Sequence, residues 1–370
     1  MAQSGRLEAT RPDHPASSAE RLIRAGQFAE ALAEVQALLA AEPDSTKFLR
    51  VQHQALMGLR RFAEAAAAIA RACDLRPENK HYRKMLAIAL KDSGDDAAAL
   101  PLLEALQDEN PRDIDVLSAL TVAHYRLGNE ADALRCGQRK LDLLVEGAPA
   151  QAASAAEGLP AGRNLVSYSL WGSAAQYCEG ALINARQVPD VLPGWIARFY
   201  VDASVPAEVV AELSRLGGEV IDASDESVPP LMRRFLVHDD LTVGRYIVRD
   251  TDSRIGPREM AAIAAWLKSG RGFHAMRDHP FHTELIMGGM WGGTAGRGFS
   301  MRELIAQAGD DHRYGADQHF LGRHLWPRIR DDLMTHDSHY SMPGSRPFPD
   351  GSRGMDADHV GMGILLKDAG

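Results

Sequence analysis

Gly244-Arg245-Tyr246-Ile247-Val248-Arg249-Asp250-Thr251-Asp252-Ser253-Arg254 is the stretch on which the reading of this chain turns. Tyr246, Ile247 and Val248 are aromatic or β-branched residues that suit a buried strand, and the acids after them stop it abruptly. Gly256 and Pro257 follow as breakers, and Pro257 to Lys268 reads as a helix. Asp250 and Asp252 therefore stand on a strand-to-helix turn, where open α/β sheets bind ligands. Two carboxylates offer hard oxygen ligands, which suit Mg²⁺ or Mn²⁺ with waters and a substrate phosphate in the remaining positions. The same residues also read as a solvated turn in which Arg249 and Arg254 pair with the acids. In a chain with 50 acidic residues a D-x-D arises easily by chance, so its surroundings have to decide.

Outward from that turn the pattern alternates. Upstream, Leu165 to Leu170 and Trp195 to Val201 read as strands, and Glu219 to Ile221 as a short one. Ser173 to Ala185, Pro206 to Leu216 and Leu231 to His238 read as helices between them. Downstream come a strand at Phe273 to Met276, an irregular strand at Ile286 to Gly289, and helices at Met301 to Ala308 and Asp317 to Leu325. Past Asp331 the chain reads as loop, with Pro343, Pro347 and Pro349 close together. This alternation predicts a mainly parallel sheet covered on both faces, with the acids at the carboxyl end of its fourth strand.

The first third has a different period. Pro43, Pro77 and Pro111 recur every 34 residues, as do Ala31, Ala65, Ala99 and Ala133. Gly26, Gly94 and Gly128 occupy three of four equivalent turn positions, and Arg60 takes the other. The small alanines let paired helices approach, and proline ends the second helix of each pair. His53 and His124 fall on these helices, where a surface or packing role is the plain reading. The expected division is a helical array over 18–146, a linker rich in Ala, Gly and Pro over 147–163, an α/β domain over 164–345, and a tail over 346–370.

Composition narrows the class. Over 370 residues, 45% hydrophobic and 25% charged is ordinary for a globular chain, and there is room for two cores. A net charge of −9 argues against a nucleic-acid partner held on a broad basic face, and Arg233-Arg234 is too short a basic stretch to change that. Cys73, Cys136 and Cys178 form no short pairing, so neither a disulfide framework nor a cysteine zinc site is suggested and a reducing cytoplasm fits. No run of about 18 apolar residues occurs, so neither export nor a membrane span is expected.

The 34-residue period, with Phe28 and Phe62 two residues past the turn positions, resembles the tetratricopeptide repeat, a helix-turn-helix unit that stacks into a solenoid. Leu49 and Arg83 stand where that family has tryptophan, and the last unit lacks its proline. The resemblance implies a protein or peptide partner in a concave groove; an array that only stabilises or dimerises its neighbour is the plainer alternative.

The order of elements ending in D-x-D, followed by Arg277-Asp278-His279-Pro280-Phe281-His282, Gly288-Gly289-Met290-Trp291-Gly292-Gly293 and Asp317-Gln318, resembles the GT-A fold of nucleotide-sugar glycosyltransferases. That resemblance implies a nucleotide-diphospho-sugar donor and a bound Mn²⁺ or Mg²⁺. Asp252 would ligate the metal, Asp250 would contact metal or ribose, and a late histidine, His336 in preference to His339, would complete the metal site. Arg249 and Arg254 would touch diphosphate oxygens or merely offset the acids. Asp278 and His279 would line the donor-sugar pocket, or pack between strands. Gly289 would allow close backbone approach to a sugar and Trp291 would stack on it, unless the segment is only a tight bend. Asp317, a catalytic candidate with Asp278, would contact the acceptor or the reacting sugar and serve as base in an inverting reaction; as a helix N-cap it would do neither. His279 and His282 make an H-x-x-H, but Pro280 argues against the helix that a zinc site of that spacing needs. An interaction scaffold with an inactive α/β domain and a metal-dependent phosphoester hydrolase are the alternatives.

Overall fold

The structure is a computed structural model describing residues 17–149, 162–309, 315–355 and 358–363. Most of the segment expected as a linker, and the last residues of the tail, lie outside the described residues. The chain divides into two compact units, 1–136 and 137–370.

The first unit is a run of paired helices: α1 (Ser17–Arg24), α2 (Phe28–Ala41), α3 (Thr46–Gly58), α4 (Phe62–Leu75), α5 (Lys80–Asp92), α6 (Asp96–Glu109), α7 (Ile114–Arg126) and the start of α8 (Glu130–Gly147). The turns inside the pairs fall on Gly26, Arg60, Gly94 and Gly128, all with positive φ. Glycine adopts that conformation without penalty, and Arg60 is the one side chain among the described residues that bears it. Ala31, Ala65, Ala99 and Ala133 are fully buried at the helix contacts, and His53 is buried with Nδ1 3.1 Å from Ala65 O. This run of helices resembles a tetratricopeptide solenoid. The division between units falls inside α8, ahead of the 147–163 segment. From Gly137 on, α8 belongs to the second unit, where Lys140 pairs with Glu284 at 2.6 Å and Gln138 Nε2 donates to Ser341 O at 2.9 Å.

The second unit is built on one eight-stranded sheet. Its elements are β1 (Arg163–Leu170), α9 (Ala175–Val191), β2 (Trp195–Val201), α10 (Ala207–Arg215), β3 (Glu219–Asp222), a 3₁₀ run (Pro230–Asp239), β4 (Val243–Val248), α11 (Pro257–Ser269), β5 (Phe273–Arg277), β6 (Trp291–Thr294), α12 (Met301–Ala308), α13 (Ala316–Phe320), a π turn (Leu321–Leu325), α14 (Trp326–Ile329), β7 (Leu333–Asp337) and β8 (Ser345–Arg346). The strand order is β3-β2-β1-β4-β6-β5-β7-β8, with β6 antiparallel to both neighbours and the other pairings parallel. Every residue of β4 and β5 is buried, as a parallel sheet covered on both faces requires. The chain lays β1, β2 and β3 outward in one direction and then returns to place β4 on the other side of β1. The crevice between the carboxyl ends of β1 and β4 is therefore the topological switch point, where such sheets bind ligands.

Four expectations change. The irregular strand is not at Ile286 to Gly289 but at Trp291–Thr294, two of whose four residues are glycines with weak strand propensity. The stretch past Asp331 is not all loop, because β7 is inserted beside β5 and its core position comes from that pairing. Leu231 to His238 is 3₁₀ rather than α. The expected tail also packs: Phe348 and Val360 are buried in one cluster with Met276 and Met290.

Candidate functional site

Past the end of β4, inward and outward residues keep alternating, so Arg249, Thr251 and Ser253 are buried while Asp250 and Asp252 are only half-buried. Two acids spaced by one residue thus share a side, and Thr251 is the residue turned inward. The backbone between them is pinned: Thr251 O accepts from Asn184 Nδ2 at 3.0 Å and from Arg254 Nη1 at 2.9 Å, and Arg249 N donates to Ser167 O of β1 at 3.1 Å.

Both acids line a cleft of about 620 Å³ at the switch point. Its walls come from the end of β1 and the loop after it, from the Met287–Met290 turn, from the start of α13 and from Gly361 and Gly363. Trp171 and Tyr177, 42% and 44% exposed, supply open aromatic faces among its described walls.

Arg234 organises this cleft. Ser169 Oγ accepts from its backbone N–H at 2.8 Å and Ser167 Oγ donates to its carbonyl at 2.7 Å, so two serines of β1 hold the 3₁₀ run in place. Its buried guanidinium then bridges two carboxylates, donating to Asp250 through Nη1 and to Asp317 Oδ2 through Nη2 at 2.9 Å. Burial opposes the charge on Arg234, yet Asp250 and Asp317 together hold its pKa above the ordinary value. Gly288 and Gly289 fit the same arrangement. A Cβ on Gly289 would overlap the Asp250 carboxylate, and one on Gly288 would overlap that of Asp317. The close approach of this backbone is therefore to the two acids.

Electrostatics set the character of the site. Burial, reinforced by the charge of Asp250, raises the Asp252 carboxyl above its usual range. Burial likewise raises Asp317, although Arg234 opposes the rise. Among the described walls, the carboxylates of Asp250, Asp252 and Asp317 face a single guanidinium that is already committed to two of them. Such a cleft has unspent capacity for a hard cation. Asp250 and Asp252 supply the oxygen donors that Mg²⁺ or Mn²⁺ takes, and the open cleft beside them leaves room for the waters and phosphate such ions keep. Among the described residues no group of three or more His, Cys, Asp or Glu side chains is arranged to hold a metal, so a cation here would rest on the two acids.

Other residues singled out from the sequence lie elsewhere. Arg249 is 1% exposed and faces away from the cleft, paired with the equally buried Glu259. Arg254 donates to Thr251 O and to Ser253 O, and lines a separate shallow depression with Arg186 and Asp190. Asp278 is fully buried as a fastening point: it pairs with Arg258 at 2.9 Å and accepts from Gly354 N at 3.1 Å and Val360 N at 2.9 Å. His279 packs against Phe281, His282 and His359 and is not a wall of the cleft. Trp291 is buried on β6, edge-on to Phe235 and Tyr246, so its indole is a core group and not a platform for a sugar. His336 sits inside the sheet on β7, with Nδ1 2.7 Å from His274 Nε2, and burial pushes it down to about 4. It belongs to the core, and His339 donates to Gly354 O at 2.8 Å. Asp250, Asp252, Asp317 and Gly289 are the sequence candidates that do meet at the cleft.

Trp171 and Tyr177 line the cleft with no signal in the sequence, whereas Arg234 and His282 stand out there only as a short basic stretch and an H-x-x-H. Arg233 and Arg234 interrupt an otherwise apolar run, Leu-Met-Arg-Arg-Phe-Leu-Val, and a charge in such a run must find a buried partner. That signal was present. Arg233 finds Asp202 at 2.6 Å, and Arg234 finds the two acids.

No protein-family model matches the chain, and no curated protein matches it. Solved structures match its N-terminal helical region. MamA from Desulfovibrio magneticus, residues 41 to the end, is 23% identical over 34% of this chain and 71% of that chain, with a TM-score of 0.32. The crystal structure of YrrB, a TPR protein with an unusual peptide-binding site, is 18% identical over 35% and 67%, with a TM-score of 0.33. Among the described residues no helix is long and apolar enough to cross a membrane.

Proposed function

We propose that the α/β unit is a metal-dependent glycosyltransferase that moves a sugar from a nucleotide-diphosphate donor to an acceptor. In this reading the repeats hold a protein or peptide, either the acceptor or a regulator, on the extended surface that solenoids present. The observation that carries the proposal is the pair Asp250 and Asp252, sharing one side of a switch-point cleft among whose described walls carboxylate outweighs cation. A diphosphate would be repelled by those walls alone. Asp250 and Asp252 would hold Mn²⁺ or Mg²⁺, which when bound supplies Lewis-acid neutralisation of the charge that develops on the departing diphosphate.

The chain's own groups supply the rest. Arg234 holds Asp250 and Asp317 in fixed relation, so the metal-holding acid and the acid beyond it are set by one guanidinium. Asp317, with its carboxyl raised by burial, is suited to contact an acceptor hydroxyl and to take its proton if the reaction inverts. Trp171 and Tyr177 offer flat apolar faces for a nucleobase or a sugar.

The test is a screen of nucleotide sugars with the purified protein and Mn²⁺, read by mass spectrometry for release of nucleoside diphosphate, beside Asp252→Asn. Release that depends on both Mn²⁺ and Asp252 supports the proposal. Cleavage with no dependence on a sugar acceptor points to a phosphoester hydrolase. Absence of any binding of Mn²⁺ and nucleoside diphosphates leaves an interaction scaffold.

A further inference from the structure

The loop after β5, Asp278-His279-Pro280-Phe281-His282, turns two imidazoles back on their own backbone. Phe281 N donates to His279 Nδ1 at 3.1 Å, and Asp278 N donates to His282 Nδ1 at 3.0 Å. A nitrogen that accepts an N–H carries a lone pair, so in each neutral ring the proton sits on Nε2. Neither Nε2 then has a lone pair for a metal ion. The H-x-x-H is therefore not a metal site, although the rings of His279, His282 and His359 lie 4.6 to 5.7 Å apart. Both rings are instead hydrogen-bond donors at Nε2, and His282 is the one that lines the cleft. Burial first, and then the neighbouring His359, His279, Arg277 and His339, keep His282 uncharged far below its usual range.

We propose that His282 is a ligand-binding residue of the cleft, its Nε2–H donating to a phosphate oxygen of the donor diphosphate. This rests on the glycosyltransferase reading and names a contact within it. Donors in the cleft must meet acceptors on the ligand. Sugar hydroxyls can donate to Asp250 and Asp317, whereas phosphate oxygens only accept. Among the described residues, the cationic donors one would assign to them are committed elsewhere: Arg234 to two carboxylates, Arg249 to Glu259, and Arg254 to backbone carbonyls. A neutral imidazole N–H adds a directed donor without burying another charge. Charge neutralisation is left to the cation on Asp250 and Asp252, and orientation of the phosphate to His282.

The test is calorimetric titration of inorganic pyrophosphate into the Mn²⁺-loaded protein, a probe that requires neither the base nor the sugar to be known. His282→Asn keeps an acceptor near Nδ1 for the Asp278 N–H but does not reach the position of Nε2. His282→Gln places an amide N–H there. The expected result is that Asn weakens pyrophosphate binding about tenfold or more, the range for one hydrogen bond to a charged group, with Mn²⁺ affinity and thermal midpoint held, and that Gln restores part of the loss. Wild-type affinity in the Asn variant overturns the proposal, and a defect seen with a nucleotide sugar but not with pyrophosphate overturns it in favour of a sugar contact. Wild-type protein that binds Mn²⁺ but no pyrophosphate overturns the glycosyltransferase reading itself. Should the Asn variant fail to fold, the Nε2 proton resonance of His282 in the intact protein, loaded with diamagnetic Mg²⁺ in place of Mn²⁺, decides: a downfield shift on adding pyrophosphate supports the contact, and an unmoved resonance overturns it.

Discussion

Two sets of arginine and carboxylate lie back to back across the end of β4, and they serve opposite purposes. On the cleft side, Arg234 spans Asp250 and Asp317, and Asp252 stands beside them without an arginine bonded to it among the described residues. On the core side, Arg249 meets Glu259 and Arg277 meets Asp337 one to one with almost no exposure, and Arg258 ties the buried Asp278 to the exposed Asp350. Arg249 and Asp250 are neighbours in sequence, yet one is sealed in the core and the other lines the cleft. The contrast separates two uses of charge: matched pairs hold the scaffold, and the acids left in excess line the cleft, where the proposed cation would answer them.

Substitutions can break this contrast. Glu259→Gln leaves the Arg249 guanidinium buried without a counter-charge and should cost about 3 kcal/mol or more in urea unfolding. A loss no larger than that of a surface pair would show that the core set is not a matched scaffold. Arg234→Met leaves Asp250 and Asp317 facing each other, but Asp250 is partly solvated, so about 2 kcal/mol is expected at neutral pH. The Asp317 carboxyl is already raised in the folded state, and losing Arg234 raises it further. The penalty on its ionised form is thus present above that pKa and fades as pH falls through it, so the cost should shrink between unfolding curves at pH 7 and pH 4.5.

Asp252→Asn has the smallest effect and the opposite sign. Because burial and Asp250 raise this carboxyl in the folded state, its ionised form is penalised at neutral pH, and the neutral amide should raise the thermal midpoint slightly while removing Mn²⁺ binding. In the wild type the same sign makes Mn²⁺ compete with a proton. Affinity measured by titration should fall as pH drops from 7 through the raised pKa of Asp252, and affinity that stays flat over that range would place the metal elsewhere.

Much of the fold was legible because it is written in short-range patterns. The 34-residue spacing of Ala31, Ala65, Ala99 and Ala133 marks four equivalent helix contacts, and Trp195 to Val201 reads as the strand it is. The failures have a common cause. Trp291 looks like an exposed aromatic in a glycine loop, but those glycines let β6 slot between β4 and β5 and take the indole into the core. His336 looks like a loop histidine because the Leu333–Asp337 strand has no signal of its own and exists through pairing with β5.

The sequence by itself determined that the N-terminal third is a helical repeat and that a strand ends in two acids one residue apart. Both follow from period and alternation, which are properties of the local chain. The tertiary structure alone decided which charges are spent. Arg234 reaches Asp317 across 83 residues, and Arg249 turns to Glu259 rather than to its neighbour Asp250. A buried charge takes the partner that packing brings to it, and packing joins segments that no local pattern connects.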